Sequence, residues 1–126
     1  MNVSSDVAEQ VIADLCFDRD GLVPAIAQSD ETGEVLMLAY MNVDAVRETL
    51  ETGQVSYWSR SRQALWRKGE SSGHVQRLVE LRYDCDNDAV LLRVRQSGPA
   101  CHTNRPNCFY HAVREGRVTI ISEPEA

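Results

Sequence analysis

The chain has 126 residues, enough for one domain whose core does not depend on disulfide bonds. Its formal net charge is -6, which argues against a general nucleic-acid-binding protein because such proteins are basic overall. The N-terminus lacks the features of a signal peptide, and the longest apolar run, residues 35–41, is too short to span a bilayer. The sequence therefore predicts a single cytoplasmic domain over residues 1–126 that binds neither membrane nor nucleic acid.

The sequence predicts one or two short helices in its N-terminal half and a larger number of strands. A weakly amphipathic helix is expected over residues 6–15, followed by two strands, LVPAIAQ and EVLMLAY, joined by the turn SDETG. Asn42 is placed to cap a second helix that Gly53 would end. Further stretches rich in β-branched and aromatic residues predict strands at VSYWS, ALWRK, VQRLVELRY, AVLLRVR and RVTIIS. The pattern indicates an α+β fold of mainly antiparallel strands with one or two short helices.

Three aspartates and a cysteine fall within residues 84–88, between two predicted strands. If this segment is extended, Asp84, Asp86 and Asp88 share one face and Cys85 points to the other. Carboxylates this close repel each other unless a hard cation such as Mg²⁺ or Ca²⁺ relieves the repulsion. A polar hairpin turn explains the same residues, since Asp and Asn favour turns. The cluster by itself leaves both interpretations open.

Four cysteines in a reducing compartment are expected to be thiols or metal ligands rather than disulfides. Cys101 and Cys108 lie in the irregular stretch SGPACHTNRPNCFYH, with His102 directly after the first. Together with Cys85 they would make an incomplete structural zinc site but a sensible catalytic one, which leaves the fourth position for a water that zinc can acidify. The alternative is ordinary loop thiols and a surface histidine. Cys16, alone near the first helix, is predicted to be a small core residue.

Basic residues are unevenly placed in this acidic chain. Arg60, Arg62, Arg67 and Lys68 lie close together, and two of them stand beside serines in SRSR. Such a group suits a phosphate-bearing small molecule. A solvated charged face is the alternative that the charge pattern alone leaves open.

Three longer segments resemble one known family. YWSRSRQALWRKGESSGH, YDCDNDAVLL and GPACHTNRPNCFY, in this order and spacing, closely resemble the phosphoribosyl-AMP cyclohydrolases of histidine biosynthesis. The likeness runs from about Val23 to Tyr110 and includes the LMLAYMN segment. It implies hydrolysis of 1-(5-phosphoribosyl)-AMP with opening of the purine ring between N1 and C6. It also implies dependence on zinc and magnesium and assembly into an intertwined homodimer.

The resemblance also implies a set of metal ligands. The family's DCDxD motif makes Asp84, Asp86 and Asp88 magnesium ligands and Cys85 a zinc ligand. The zinc shell would be completed by Cys101 and Cys108, with Cys85 contributed by the partner subunit, so that the active site straddles the dimer interface. This sequence departs from the family at Asn104, where glycine is usual, and at Asn107, where serine is usual. Asparagine tolerates positive φ, so the turn at position 104 is expected to persist.

The remaining site residues are assigned by their chemistry. His102 is the first candidate for moving a proton between the water and the leaving ring nitrogen, because its ordinary pKa lies near the working pH. It could instead contact or bind the zinc. His74 is the second candidate, and His111 is predicted to be structural. The substrate's two phosphates are expected to bind Ser59, Arg60, Ser61, Arg62 and Lys68.

Three further expectations complete the sequence-based picture. Trp58 or Trp66 would stack on the purine base, although a strand tryptophan is more often part of the core. A zinc deaminase acting on another purine is disfavoured because the HxE and PCxxC signature is missing. A non-catalytic zinc module would instead require a closed shell of four ligands.

Overall fold

The computed structural model describes residues 3–125. The helices and strands, in chain order, are α1 (Ser5–Asp14), β1 (Val23–Ser29), β2 (Val35–Met41), α2 (Val43–Thr52), β3 (Ser56–Ser59), β4 (Ala64–Arg67), β5 (Gln76–Tyr83), β6 (Val90–Gln96), β7 (His111–Arg114) and β8 (Arg117–Ile120). No helix within residues 3–125 is long and apolar enough to cross a membrane.

Six of the strands form one sheet in the order β4-β3-β2-β1-β6-β5, and β7 pairs with β8 in a separate hairpin. Every pairing is antiparallel except that of β1 with β6, which runs in parallel from Ala25 opposite Val90 to Ser29 opposite Val94. The predicted α+β fold of mainly antiparallel strands with two short helices is confirmed. The strand β7 was not predicted, because HAVR has one β-branched residue and is largely exposed.

The core lies between the two helices and the central strands. Strand β1 buries every second residue, as expected for a strand with one covered face. Helix α2 buries one stripe of side chains, Ala45, Val46, Thr49 and Leu50, and contacts α1, β2 and β3. Because β2 and β1 lie in the middle of the sheet, they hold β3 and β4 on one side and β6 and β5 on the other, the elements that carry the candidate site, in fixed relative positions.

The ends of α2 follow the predicted capping residues. The Asn42 side-chain oxygen accepts a hydrogen bond from the Ala45 backbone N–H at 2.9 Å. Gly53 adopts a left-handed conformation with φ of 77°, and its N–H donates to the Thr49 carbonyl. Both sequence predictions for this helix are therefore confirmed.

We expect Asn42→Ala to lower the free energy of unfolding by about 1 kcal/mol, because the substitution leaves an N–H of the first turn without its acceptor. Urea denaturation followed by circular dichroism would measure the change. Asn42→Asp is the matched control, since aspartate caps a helix as well as asparagine does. Equal losses in the two variants would mean that the cap contributes nothing.

One open alternative is decided and one sequence prediction is wrong. Of the two interpretations of residues 84–88, the hairpin turn is confirmed and the extended strand is not: the segment joins β5 to β6, Asn87 has a φ of 65°, and the Asn87 N–H donates to the Asp84 carbonyl. Strand alternation therefore does not decide where these side chains point. Cys16 is exposed rather than buried, because it follows the end of α1 in a loop whose neighbour Leu15 fills the core instead.

Candidate active site

A cavity of about 320 Å³ opens between the segment that follows β4 and the loop that follows β6. This volume is at the lower end of the range of about 300–1,000 Å³ that small-molecule sites occupy. The cavity is lined by Arg62, Trp66, Arg67, Lys68, Gly69, Glu70, Ser71, Ser72, His74, Pro99, Cys101, His102 and Asn104. The structure thus brings together residues that the sequence analysis drew from two separate motifs.

The wall of this cavity is positively charged although the whole chain is acidic. Arg62, Arg67 and Lys68 line it, and Glu70 is the one acidic residue among the lining side chains. Arg67 is partly neutralised by an ion pair with Glu48 at 2.8 Å. An excess of cations in a concave site favours an anionic ligand such as a phosphate ester.

Two of the predicted zinc ligands meet beside this cavity. Cys101 is buried, Cys108 is half-buried, and the two thiols interact directly. The Cys101 sulfur lies 3.0 Å from the Thr103 hydroxyl. Lys68 approaches from β4 and donates from its Nζ to the Ala100 carbonyl at 2.6 Å. The thiol pair is therefore held in a polar loop with a cation next to it.

Their surroundings give the two thiols different acidities. Burial raises the pKa of Cys101, but hydrogen bonds from Thr103 outweigh it and hold the pKa below its usual range. Burial and the neighbouring Cys101 raise the pKa of Cys108 to about 11, against the opposing field of Lys68. Burial lowers the pKa of Lys68, while both cysteines oppose that shift. A divalent cation bound to the pair would reverse the penalty on Cys108, because it stabilises thiolates.

The two histidine candidates both line the cavity, but they are held differently. His102 is exposed at the start of the loop after Cys101. His74 is half-buried, its backbone N–H donates to Ser72 Oγ at 3.1 Å, and its carbonyl accepts from Gln96. His111 does not line the cavity and packs its ring against Tyr110, with 4.5 Å between ring centroids. The structure thus brings two of the three described histidines to the candidate site.

The predicted phosphate-binding residues divide into two groups. Arg62 and Lys68 reach the cavity, whereas Ser59, Arg60 and Ser61 do not line it. The Arg60 guanidinium lies 4.0 Å from the centroid of the Tyr40 ring, and Ser59 Oγ accepts from the Arg62 N–H at 3.2 Å. Contacts from these three residues to a phosphate therefore stay a prediction.

Of the two tryptophans, only Trp66 lines the cavity. Its ring is half-buried and packs against Tyr57, with 5.2 Å between ring centroids. The Lys68 Nζ lies 5.9 Å from the Trp66 ring centroid. Trp66 therefore packs against the core through Tyr57 and also leaves part of its ring available to a planar ligand in the cavity.

The acidic cluster forms a second candidate site, in the β5–β6 turn. One oxygen from each of Asp84, Asp86 and Asp88 can lie within 4.8 Å of the others. The turn is built by Asp84, whose Oδ1 accepts from the backbone N–H groups of Asp88 at 3.0 Å and Ala89 at 3.2 Å. The carboxylates thus converge through turn geometry, the second of the two arrangements that the sequence left open, and not through strand alternation.

The pKa values of Asp84 and Asp88 are shifted in opposite directions. Some loss of solvation raises the pKa of Asp84, but the N–H groups of Asp88 and Ala89 outweigh it and leave the pKa below its usual range. Interaction with Asp86 raises the pKa of Asp88. The repulsion is thus concentrated on one member of the cluster, where a bound cation would relieve it.

The two candidate sites lie at opposite ends of one hairpin. Strand β6 has seven residues, of which the first follows the aspartate turn and the last is Gln96, whose side chain donates to the His74 carbonyl at the cavity. At about 3.4 Å per residue the ends are about 20 Å apart. Among residues 3–125, the three aspartates form the only cluster of three or more potential metal ligands. Cys85, in the turn, therefore does not join Cys101 and Cys108 of the same chain.

The two departures from the family pattern are accommodated locally. Asn104 has a φ of 64°, the left-handed conformation that was expected of this turn. Asn107 accepts from the Phe109 N–H at 2.7 Å and donates to Glu34, so it tethers the loop just before Cys108 to the residue that precedes β2. The loop keeps its shape with asparagine at both positions.

Comparisons with known proteins agree on one family. A family model described as Phosphoribosyl-AMP cyclohydrolase matches residues 37–110. A curated relative named phosphoribosyl-AMP cyclohydrolase, from Cereibacter sphaeroides, is 65% identical over 112 residues, which cover 89% of this chain and 94% of the relative. A relative of the same name from Paracoccus denitrificans is 64% identical over 113 residues, covering 90% of this chain and 93% of the relative. Another from Rhodospirillum centenum is 60% identical over 123 residues, covering 98% and 92%.

The chain belongs to the phosphoribosyl-AMP cyclohydrolase family. This confirms the resemblance drawn from the motifs and makes the chain an enzyme. The segment matched by the family model contains the aspartate turn, both histidine candidates and the cysteine pair of the cyclohydrolase, whereas α1, β1, β7 and β8 lie outside it.

Sequence analysis of the cyclohydrolase missed several residues that line the cavity. Glu70, Ser71 and Ser72 lie in the first of the three family-like segments, but no role was predicted for them. Arg67 was predicted only as one of a group of basic residues. The clue was the GESSG segment, since a glycine-bracketed polar turn next to basic residues is typical of a phosphate-binding loop.

Proposed function

We propose that this protein hydrolyses 1-(5-phosphoribosyl)-AMP in the histidine biosynthesis pathway of the cytoplasm. The reaction opens the purine six-membered ring between N1 and C6. The proposal is carried by one observation: a cationic cavity that holds two histidines and a cysteine, in a chain about 65% identical to proteins named for this activity. The cations account for a substrate with two phosphate groups, and Trp66 accounts for its planar base.

We further propose two metal ions, zinc and magnesium, because the donor atoms fit them. Cys101 and Cys108 offer soft sulfur ligands that already contact each other. The three aspartates offer hard oxygen ligands that converge in an exposed turn. Zinc held by the cysteines would supply a Lewis acid that makes water a stronger nucleophile near neutral pH.

The third zinc ligand in this proposal is Cys85 of a second copy of the chain. Each sulfur ligand of a zinc ion lies about 2.3 Å from it. Within one chain, however, the β5–β6 hairpin separates the turn that carries Cys85 from the cavity by about 20 Å. An isologous dimer solves this problem, because each copy can place its turn against the other's cavity. The resulting homodimer would contain two equivalent composite sites.

The chain's own residues would carry the proton movements of the reaction. The oxygen of a water molecule adds to C6, the C6–N1 bond breaks, and N1 receives a proton, so that C6 becomes the carbon of a carboxamide. His102, exposed at the mouth of the cavity, would take the proton from water, and either histidine could deliver one to N1. The exocyclic nitrogen stays on the product.

The phosphate groups would be held by cationic and hydroxyl side chains that line the cavity. Arg62 can present its guanidinium to one phosphate, with Ser71 and Ser72 as neutral donors beside it. Lys68 is half-buried and hydrogen-bonded to the Ala100 carbonyl, so it adds charge at close range. Magnesium at the aspartate turn would neutralise or orient a phosphate as well.

The test is turnover of phosphoribosyl-AMP by purified protein, followed by the absorbance change on ring opening and by ammonia release. We expect ring-opened product without ammonia, and loss of activity on chelation that zinc reverses. Ammonia in step with the reaction would indicate a purine deaminase instead. Zinc binding without any turnover would indicate a non-catalytic zinc module.

We expect His102→Ala to lower kcat by about 100-fold or more while zinc content stays near that of the unaltered protein, because the histidine moves protons and does not hold the metal. Metal analysis of the purified variant beside its kinetics would measure both. His111→Ala, outside the cavity, is the matched control. A parallel loss of zinc and rate would show that His102 is a zinc ligand.

A further inference from the structure

The imidazole of His74 lies directly against the backbone of Gly98. A Cβ placed on Gly98 would be 2.6 Å from His74 Cδ2, 3.0 Å from Nε2 and 3.2 Å from Cγ. Real Cβ atoms do not approach other atoms as closely as the first of these distances. The space that a side chain would fill at position 98 is therefore occupied by the histidine ring.

The backbone of His74 is held just as closely on another side. A Cβ on Gly69 would lie 2.5 Å from the His74 carbonyl carbon. The His74 carbonyl oxygen accepts a hydrogen bond from Gln96 Nε2 at 3.2 Å. The ring of His74 is thus fixed by Gly98, and its carbonyl group by Gly69 and Gln96.

Gln96 is in turn oriented by a chain of hydrogen bonds that ends in the core. The Tyr57 hydroxyl donates to Gln76 Oε1 at 2.6 Å, and Gln76 Nε2 donates to Gln96 Oε1 at 2.8 Å. Tyr57 is fully buried, and burial raises its pKa, so its hydroxyl keeps its proton. With Tyr57 as donor, each amide has one orientation, and the Gln96 NH₂ group must face His74.

Gly98 also belongs to the loop that carries the thiols. It precedes Cys101 by three residues, and Pro99 next to it lines the cavity with His74. The same loop is fastened to the end of β4 by the bond from Lys68 to the Ala100 carbonyl. The contact of His74 with Gly98 therefore fixes the histidine relative to the loop that holds the cysteines.

We infer that Gly98 and Gln96 are positioning residues for the hydrolysis, which act by fixing the imidazole of His74 in the cavity wall through direct contact and through its carbonyl. This inference rests on the proposed function. It separates the roles of the two histidines, because His102 is exposed and has no such support, whereas His74 is held in one place. A fixed histidine suits delivery of a proton to one atom, the ring nitrogen N1.

The test compares Gly98→Ala with Gly21→Ala. Both glycines have a similar positive φ, 71° and 76°, so both variants carry the same backbone strain, but a Cβ on Gly21 meets nothing within 4 Å. We expect Gly98→Ala to lower kcat by about 10- to 100-fold with KM and zinc content nearly unchanged, since a displacement of the order of 1 Å can cost that much. Gly21→Ala should stay within about twofold of the unaltered protein.

A double-mutant cycle with His74→Ala identifies the path of the effect. In a His74→Ala background, Gly98→Ala should lower kcat by less than about threefold, because the ring it displaces is gone. Gln96→Met, which adds no Cβ overlap, should lower kcat several-fold and should also lose its effect in that background. If Gly98→Ala cannot be purified, the Gln96 cycle decides.

Three results would overturn the inference. The first is a rate for Gly98→Ala equal to that of Gly21→Ala, and the second is an undiminished effect of both Gly98→Ala and Gln96→Met in the absence of His74. The third is loss of zinc from Gly98→Ala, which would assign the effect to the cysteine loop. Turnover by the unaltered protein and by Gly21→Ala would leave the proposed function standing in each case.

Discussion

Replacing Cys101 or Cys108 by serine is expected to remove zinc and to reduce turnover to below about 1% of that of the unaltered protein. A serine hydroxyl is a harder and far less acidic group than a thiol, so it does not replace a thiolate in a zinc shell. The loss should be complete for either residue because the two thiols interact and, in the proposed site, would share one ion. Metal analysis and the ring-opening assay measure the two quantities on the same sample.

Cys16→Ser is the matched control for these variants. Cys16 is an exposed thiol in the loop after α1 and does not line the cavity, so zinc and rate should both be retained. Full activity with bound zinc in Cys101→Ser or Cys108→Ser would contradict the proposed zinc site. It would leave the membership of the family untouched, since that follows from the comparisons.

Mixing inactive Cys85→Ser with inactive Cys101→Ser is expected to restore about a quarter of the activity of the unaltered protein. If each zinc takes Cys85 from one chain and Cys101 from the other, one site of a mixed dimer collects both substitutions and the other collects neither. Random pairing makes about half of the dimers mixed, and half of their sites are intact. The measurement is the turnover rate after subunit exchange at equal concentrations.

The control for this experiment is a mixture of Cys101→Ser with Cys108→Ser. Both cysteines lie in the same loop, so every site that uses one chain's loop carries one substitution, and no activity should return. A differently tagged subunit would verify that exchange has taken place. No recovery in the first mixture, with exchange verified, would rule out the shared site.

Local chemistry was enough to predict most of the fold. The caps of α2 at Asn42 and Gly53 were predicted because each end of a helix has specific hydrogen-bonding and φ requirements. The strands followed from the β-branched and aromatic residues that cover the sheet. The parallel pairing of β1 with β6 was not visible in the sequence, because nothing local specifies which distant strand lies beside β1.

The sequence grouped some residues of the candidate site but did not predict their geometry. The three aspartates do lie together, and of the extended strand and the hairpin turn that the sequence left open, the turn at Asn87 brings them together. Position 98 shows a different limit. A glycine in a loop usually signals a turn, and only the folded chain reveals that a histidine occupies the space beside it. Cys16 shows the reverse error, since a lone cysteine near an amphipathic helix gave no sign of its exposure.

The length of the β5–β6 hairpin restricts how this protein can change by insertion and deletion. One residue added to each strand would move the aspartate turn by about 3.4 Å and would turn the buried side chains of Leu78, Leu92 and Val94 toward the opposite face. Only additions in pairs keep the core, and these move the turn in steps of about 7 Å. Metal ligands tolerate errors of about 0.2 Å. In the proposed shared site, the hairpin would therefore fit at one length only, because a step of about 7 Å far exceeds that tolerance.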